Sequence, residues 1–189
     1  MTSAIEVVDR GRRLPFSFDD LIRYHGPGSP GGVAHAFKVL ERALPLLGPE
    51  GPCERREIVV VTAFEGPGAR DGFELVTRAV SGERFRVDAE LARPERGRAL
   101  ERFVFQLSYR GRVTTLALRE GFVTDEFIDL ARTKHRSADE ERRLAALKLE
   151  MADCVMAHPA CEVYDASDPE EQLAAAQDYR WRDKAGDTP

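Results

Sequence analysis

The segment Tyr24-His25-Gly26-Pro27-Gly28-Ser29-Pro30-Gly31-Gly32 is the part of this sequence best suited to chemistry. Ser29 followed by Pro30 reads as a helix N-cap with proline at the first helical position. Gly31 and Gly32 then fall in a first turn whose amides have no intrahelical partner. Without side chains to cover them, those amides are open to an anion or carboxylate, which the helix dipole also favours. His25, just ahead of the loop, is of the one residue type that titrates near neutrality, and it can serve as acid, base or metal ligand. Farther along, Asp71, Glu74 and Thr77 fall at i, i+3 and i+6, close to one face of a helix. Opposed to His25 and the Ser29 helix start, they would complete a polar cleft. Plainer readings stand beside these: a glycine-rich turn with a solvent-facing histidine, Asp71 as an N-cap, and Glu74 as an ordinary solvated acid.

The other reactive side chains point to less. Cys53 lies in a polar loop near Arg55 and Arg56, which would lower its pKa; a lone loop cysteine is also often incidental. His35 sits opposite the main apolar stripe of its helix and reads as a surface or supporting residue. His135, between Lys134 and Arg136, belongs to a basic connecting turn. His158, before Pro159, falls near a helix C-terminus, where a cation is mildly favoured. No Ser-His-acid triad is visible, and the glycine loop lacks the spacing and lysine of a phosphate loop. Arg84-Phe85-Arg86 and Tyr109-Arg110-Gly111-Arg112 interleave basic and aromatic residues, which an alternating strand explains more simply than RNA binding.

Local signals define the elements that must position these residues. Ser17 caps a short helix with Asp20 as its reciprocal partner, and Gly26 ends it. Behind Ser29, the residues Val33, Phe37, Leu40, Leu44 and Leu47 form a continuous apolar stripe, with Pro45 expected to distort or shorten the helix. Ile58-Val59-Val60-Val61 reads as a buried strand, and residues 71–80 as a helix with Phe73, Val76 and Val80 on one face. Phe85, Val87, Ala89 and Leu91 alternate with charged residues as a half-wet strand. Phe103, Phe105, Leu107 and Tyr109 repeat the pattern, and Arg110-Gly111 turns the chain into 112–118, giving an antiparallel meander. Thr124 caps one later helix. Ser137 with Glu140 opens a longer one that buries Leu144, Leu147, Met151 and Val155 before Pro159. A final start at Asp168-Pro169 leads into a thinly apolar helix, anchored by Leu173 and Trp181, whose face suits a homodimer contact.

The loop and its helix resemble the N-terminal signature of the FmdE-like family of formylmethanofuran dehydrogenase proteins, approximately Phe-His-Gly-His-x-Cys-Pro-Gly before a long helix. Tyr24, His25, Gly26 and Pro30-Gly31 fall in register with it, while Pro27 replaces the second histidine and Ser29 the cysteine. Downstream, 71–83 resembles the family stretch Asp-Ala-Ile-Gln-x-x-Thr-Gly-Cys-Thr-x-Gly-Lys. Asp71, Thr77 and Gly82 coincide, Glu74 stands for the glutamine, and Ala79 occupies the cysteine position. The likeness spans roughly residues 17–165. It implies an α+β core, often dimeric, and a His/Cys metal site of a kind suited to zinc. Here the thiols and the second histidine of that site are missing, and Cys154 and Cys161 have no second pair to complete a four-ligand module, so no metal or other cofactor is expected.

Composition bounds the rest. With 189 residues, 42% hydrophobic and 32% charged, the chain has a globular balance and enough length for a substantial core. A net charge of 28 − 33 = −5 argues against a nucleic-acid or anionic-membrane partner. Three cysteines without a CxxC pair point to a reducing, cytoplasmic setting. No apolar run approaches the ~18 residues of a membrane span, and residues 1–13 lack the apolar core of a signal peptide. The expected fold is α+β, an antiparallel sheet covered by a long helix with additional C-terminal helices. Residues 1–13 are read as an N-terminal arm, 14–165 as the core, 166–183 as a C-terminal helix and 184–189 as a disordered tail. The expected function is binding of a small polar or anionic ligand, or an accessory role, with Tyr24, Ser29, Gly31, Gly32, Asp71, Glu74 and Thr77 binding and His25 donating. Two alternatives stand: an acid/base enzyme using His25 with Asp71 or Glu74, and a structural partner of a larger oxidoreductase.

Overall fold

A computed structural model describes residues 4–169. The fold is α+β. A hairpin of β1 (Ala4–Asp9) and β2 (Arg12–Ser17) leads into α1 (Phe18–His25) and the long α2 (Pro30–Leu47). Then come β3 (Val59–Thr62), α3 (Pro67–Thr77), β4 (Phe85–Val87), β5 (Val104–Tyr109) and β6 (Arg112–Leu118). Helices α4 (Asp125–Arg132), α5 (Ala138–Met156) and α6 (Ala160–Val163) precede the last strand, β7 (Tyr164–Ala166). The second sheet runs β4-β3-β5-β6-β7. Its pairs are antiparallel except β3 with β4, which α3 links as parallel neighbours. The sheet is therefore mixed, and the predicted strand through Leu91 stops at Val87, where Asp88 caps a single 3-10 turn over Ala89–Leu91.

The predicted N-terminal arm is a strand pair instead. Ile5 and Val7 alternate with more exposed neighbours and enter the core. Arg10 and Gly11 both have positive φ, 52° and 81°, as a two-residue turn matched to strand twist requires. Arg110 and Gly111 repeat this at the β5–β6 turn with 47° and 83°. At the other end, Ala166 still belongs to β7, and the Ser167 hydroxyl accepts from the Thr115 amide at 2.9 Å, so sheet pairing runs past the expected boundary at 165. The predicted 166–183 helix and 184–189 tail lie, from residue 170 onward, outside the described residues.

Helix α2 is central. Thirteen of its 18 residues are buried, and it packs against α3, α5 and strands β5 to β7. A helix covered over most of its surface hides polar side chains that an amphipathic reading assigns to water. His35, read from sequence as a surface or supporting residue, is fully buried. Pro45 stays within the helix, which runs to Leu47 before Gly48 ends it. The start signals at Ser17 and Ser137 form as capping boxes with Asp20 and Glu140, and Thr124 caps α4. No described helix is long and apolar enough to cross a membrane.

Candidate functional site

Glycines bring three helices together at the start of α2. A methyl group on Gly68 would collide with the Ser29 carbonyl oxygen and stand 2.9 Å from the Val33 amide. One on Gly32 would lie 3.1 Å from the Ala69 amide, and one on Gly31 would meet Met151 Sδ of α5 at 2.8 Å. Backbones of α2, α3 and α5 approach this closely only because no Cβ intervenes. Neither α2 nor α3 has a side-chain N-cap bond: the Ser29 hydroxyl makes none, and the α3 cap is Gly66. Neither helix start is therefore capped by its own N-cap side chain, and the two meet at one place.

That place opens into a cavity of about 400 Å³. Ser29, Gly31 and Gly32 form one edge, and Phe64 through Gly68 another. Phe103, Phe127, Ile128, Leu144 and Met151 supply an apolar interior. Five basic residues also line it: Arg98, Arg102, Arg132, Arg136 and Lys148, against one acid, Glu65. His35 lies one turn along α2 from Gly31 and Gly32, on the same face. Its ring contacts Phe103 at 4.9 Å and Phe64 at 6.4 Å between centroids, so it sits behind the cavity wall. Its Nδ1 is 2.7 Å from the Tyr164 hydroxyl, while Nε2 is buried without a hydrogen-bond partner. Burial pushes the His35 pKa down to about 3 and that of Tyr164 well above its ordinary value. Both groups are therefore neutral near pH 7.

The sequence-predicted site residues separate into distinct places. Ser29, Gly31 and Gly32 line the cavity. His25, at the end of α1, pairs with Asp71 of α3: Nδ1 to Oδ2 is 2.8 Å, the histidine side chain is 9% exposed, and its Nε2 is buried and unpartnered. The predicted His25–Asp71 partnership thus forms, but neither residue lines the cavity. Tyr24 is 48% exposed on the outer side of α1. Asp71 lies inside α3 and is not its N-cap, because the helix begins earlier, at Pro67.

Glu74 and Thr77 do not join the polar cleft expected of them. Glu74 is buried and accepts from the Val80 and Ser81 amides at 2.8 and 3.0 Å and from the Ser81 hydroxyl at 2.6 Å. Thr77 donates to the Phe73 carbonyl and accepts from the Ala79 amide. Both secure the turn that ends α3. Burial alone would raise the Glu74 pKa, but the hydrogen bonds from Ser81, Val80 and Arg78 together hold it below the ordinary value. We expect Glu74→Gln to cost about 1–2 kcal/mol of stability, measured by urea unfolding at pH 7, since the substituted amide loses charge-assisted bonds.

One further expectation changes. Cys53 is buried, its thiol facing the Leu44 carbonyl, and burial pushes its pKa up to about 11 despite Arg110, so it is not the activated thiol that its sequence neighbours suggested. The residues at the positions of the resembled family's metal ligands do not suit such a site. Pro27 and Ser29 offer no imidazole or thiolate, and Ala79 is buried beyond the end of α3. Among the described residues no group of three or more His, Cys, Asp or Glu side chains is placed to hold a metal.

No protein-family model matches the chain, and no curated protein matches it. The basic residues of the cavity and the buried His35–Tyr164 pair escaped sequence reasoning. Arg98, Arg102, Arg132, Arg136 and Lys148 come from separate segments, so no local pattern marks them. The signal available for His35 was the apolar run on its own side of α2, Ala36, Val39 and Ala43.

Proposed function

We propose that this protein binds a small organic ligand in the cavity at the joined starts of α2 and α3. The observation that carries this reading is a half-enclosed, largely apolar space of about 400 Å³ with a few convergent polar groups, the usual character of a ligand site. The glycine contacts support it, because they let the starts of α2 and α3 meet closely enough to form one edge of the cavity. The resemblance to the FmdE-like family adds an accompanying proposal: an accessory role beside a larger oxidoreductase, as a homodimer, with this cavity as the ligand site.

The test is binding of 1-anilinonaphthalene-8-sulfonate, followed by its fluorescence. The native protein should bind it with a single saturable site. Ala99→Trp, which places a large ring in the cavity lining, should weaken binding by about tenfold or more at a temperature where circular dichroism shows the variant folded. Equal binding by native and Ala99→Trp proteins would refute the cavity as the site.

The His25–Asp71 pair favours a second reading. A carboxylate 2.8 Å from Nδ1 orients the ring and leaves Nε2 as the working nitrogen of an acid/base catalyst. Nε2 is buried, so this reading requires the structure around it to open. Turnover of a metabolite, lost in His25→Ala and absent from Asp71→Asn, would support it; retention of that turnover in both variants would refute it.

A further inference from the structure

The charge around the cavity points to the kind of ligand. The chain as a whole is net −5, yet its cavity lining carries five cations and one acid. What this excess offers an anion depends on how many of the cations are already neutralised by neighbouring carboxylates. The four arginines are already matched: Arg98 with Asp129, Arg102 with Glu65, Arg132 with Glu101, and Arg136 with Glu141. Lys148 is different. Among the described residues no carboxylate pairs with it, and its ammonium donates to the Gly28 carbonyl at 3.0 Å, beside the uncapped start of α2. A cation with no carboxylate partner among the described residues, at the edge of an aromatic space, suits one negative charge on an apolar body.

Resting on the cavity reading above, we infer that the ligand is a small amphiphilic carboxylate. Its carboxylate sits on Lys148 at the start of α2, and its apolar body lies among Phe64, Phe103, Phe127, Ile128 and Met151. A compact ammonium suits this task as a point charge that needs no bidentate geometry.

Calorimetric titration with decanoate, decanol and inorganic phosphate tests the assignment on the full chain. Decanoate should bind about tenfold or more tightly than decanol, as a charge-assisted contact implies. Lys148→Gln should bring decanoate down to the decanol level while leaving decanol unchanged, and Lys148→Arg should restore most of the difference. Circular dichroism and the melting temperature of each variant establish that it folds. If decanol binds as well as decanoate, or Lys148→Gln leaves decanoate unaffected, the carboxylate assignment is overturned while the cavity reading survives. Displacement of decanoate by an equal concentration of inorganic phosphate also overturns it, since the head group alone would then be selected. If neither decanoate nor decanol binds and the dye is equally insensitive to Ala99→Trp, both readings fall together.

Discussion

Replacing Gly68 with alanine is expected to destabilise the protein by about 3 kcal/mol, at the upper end of the usual cost of overpacking. The added methyl would collide with the Ser29 carbonyl oxygen and meet the Val33 amide at 2.9 Å. Those two atoms are themselves the first hydrogen bond of α2, Val33 donating to Ser29 at 3.2 Å, so neither can retreat by rotating a side chain. Relief requires the starts of α2 and α3 to separate, which deforms the cavity edge. Gly68→Ala should therefore also lose dye binding at temperatures where it remains folded. Gly28→Ala is the matched control: nothing lies within 4 Å of its added methyl and its φ is not positive, so stability should stay within about 0.5 kcal/mol. Equal denaturation midpoints for the two variants would show that the helix starts are not tightly joined.

A pH dependence centred on His35 should be nearly as large. Its folded-state pKa, about 3, lies below the ordinary value of 6.5, so the unfolded chain binds the proton more readily. The stability that comes from keeping the ring neutral is complete above about pH 6.5 and is lost progressively as pH falls toward 3. Moving from pH 7 to pH 5 should cost about 2 kcal/mol through this residue alone. His35→Gln retains a group able to meet the Tyr164 hydroxyl but cannot take up the proton. Urea unfolding at pH 7 and pH 5 should show the native protein losing about 2 kcal/mol more than the variant over that interval. Parallel losses in the two proteins would mean that His35 is not held neutral by burial. Groups such as Glu74, whose pKa is lowered, add their own losses only at more acidic pH and are common to both proteins.

How far the sequence could be read depended on the range of the interactions involved. Ser17 with Asp20, Thr124, Ser137 with Glu140, and the Ser29-Pro30 start of α2 were all legible, because a helix start is signalled within a few residues of itself. The Arg110-Gly111 turn was legible for the same reason. Its twin at Arg10-Gly11 carries the same dipeptide between alternating strands, and attention to that repeat would have revealed the N-terminal hairpin. Glu74 and Thr77 show the limit of helical spacing as a guide. They share a face with Asp71, but they lie one and two turns further along, and the chain folding back through Val80 and Ser81 claims them for the end of α3.

Consecutive residues were enough to set the helix starts, the β-branched and alternating strands, the α+β class, and the His25–Asp71 pairing as one option among several. Caps, turns and periodicity act over short stretches, so their chemistry can be read in order along the chain. The assembled fold was needed to bury Cys53 and His35, to join β4 to β3 in parallel, and to surround one apolar space with cations from separate segments. Those outcomes depend on which distant surfaces exclude water together, and the close approach of three helices at Gly31, Gly32 and Gly68 is what brings those surfaces into contact.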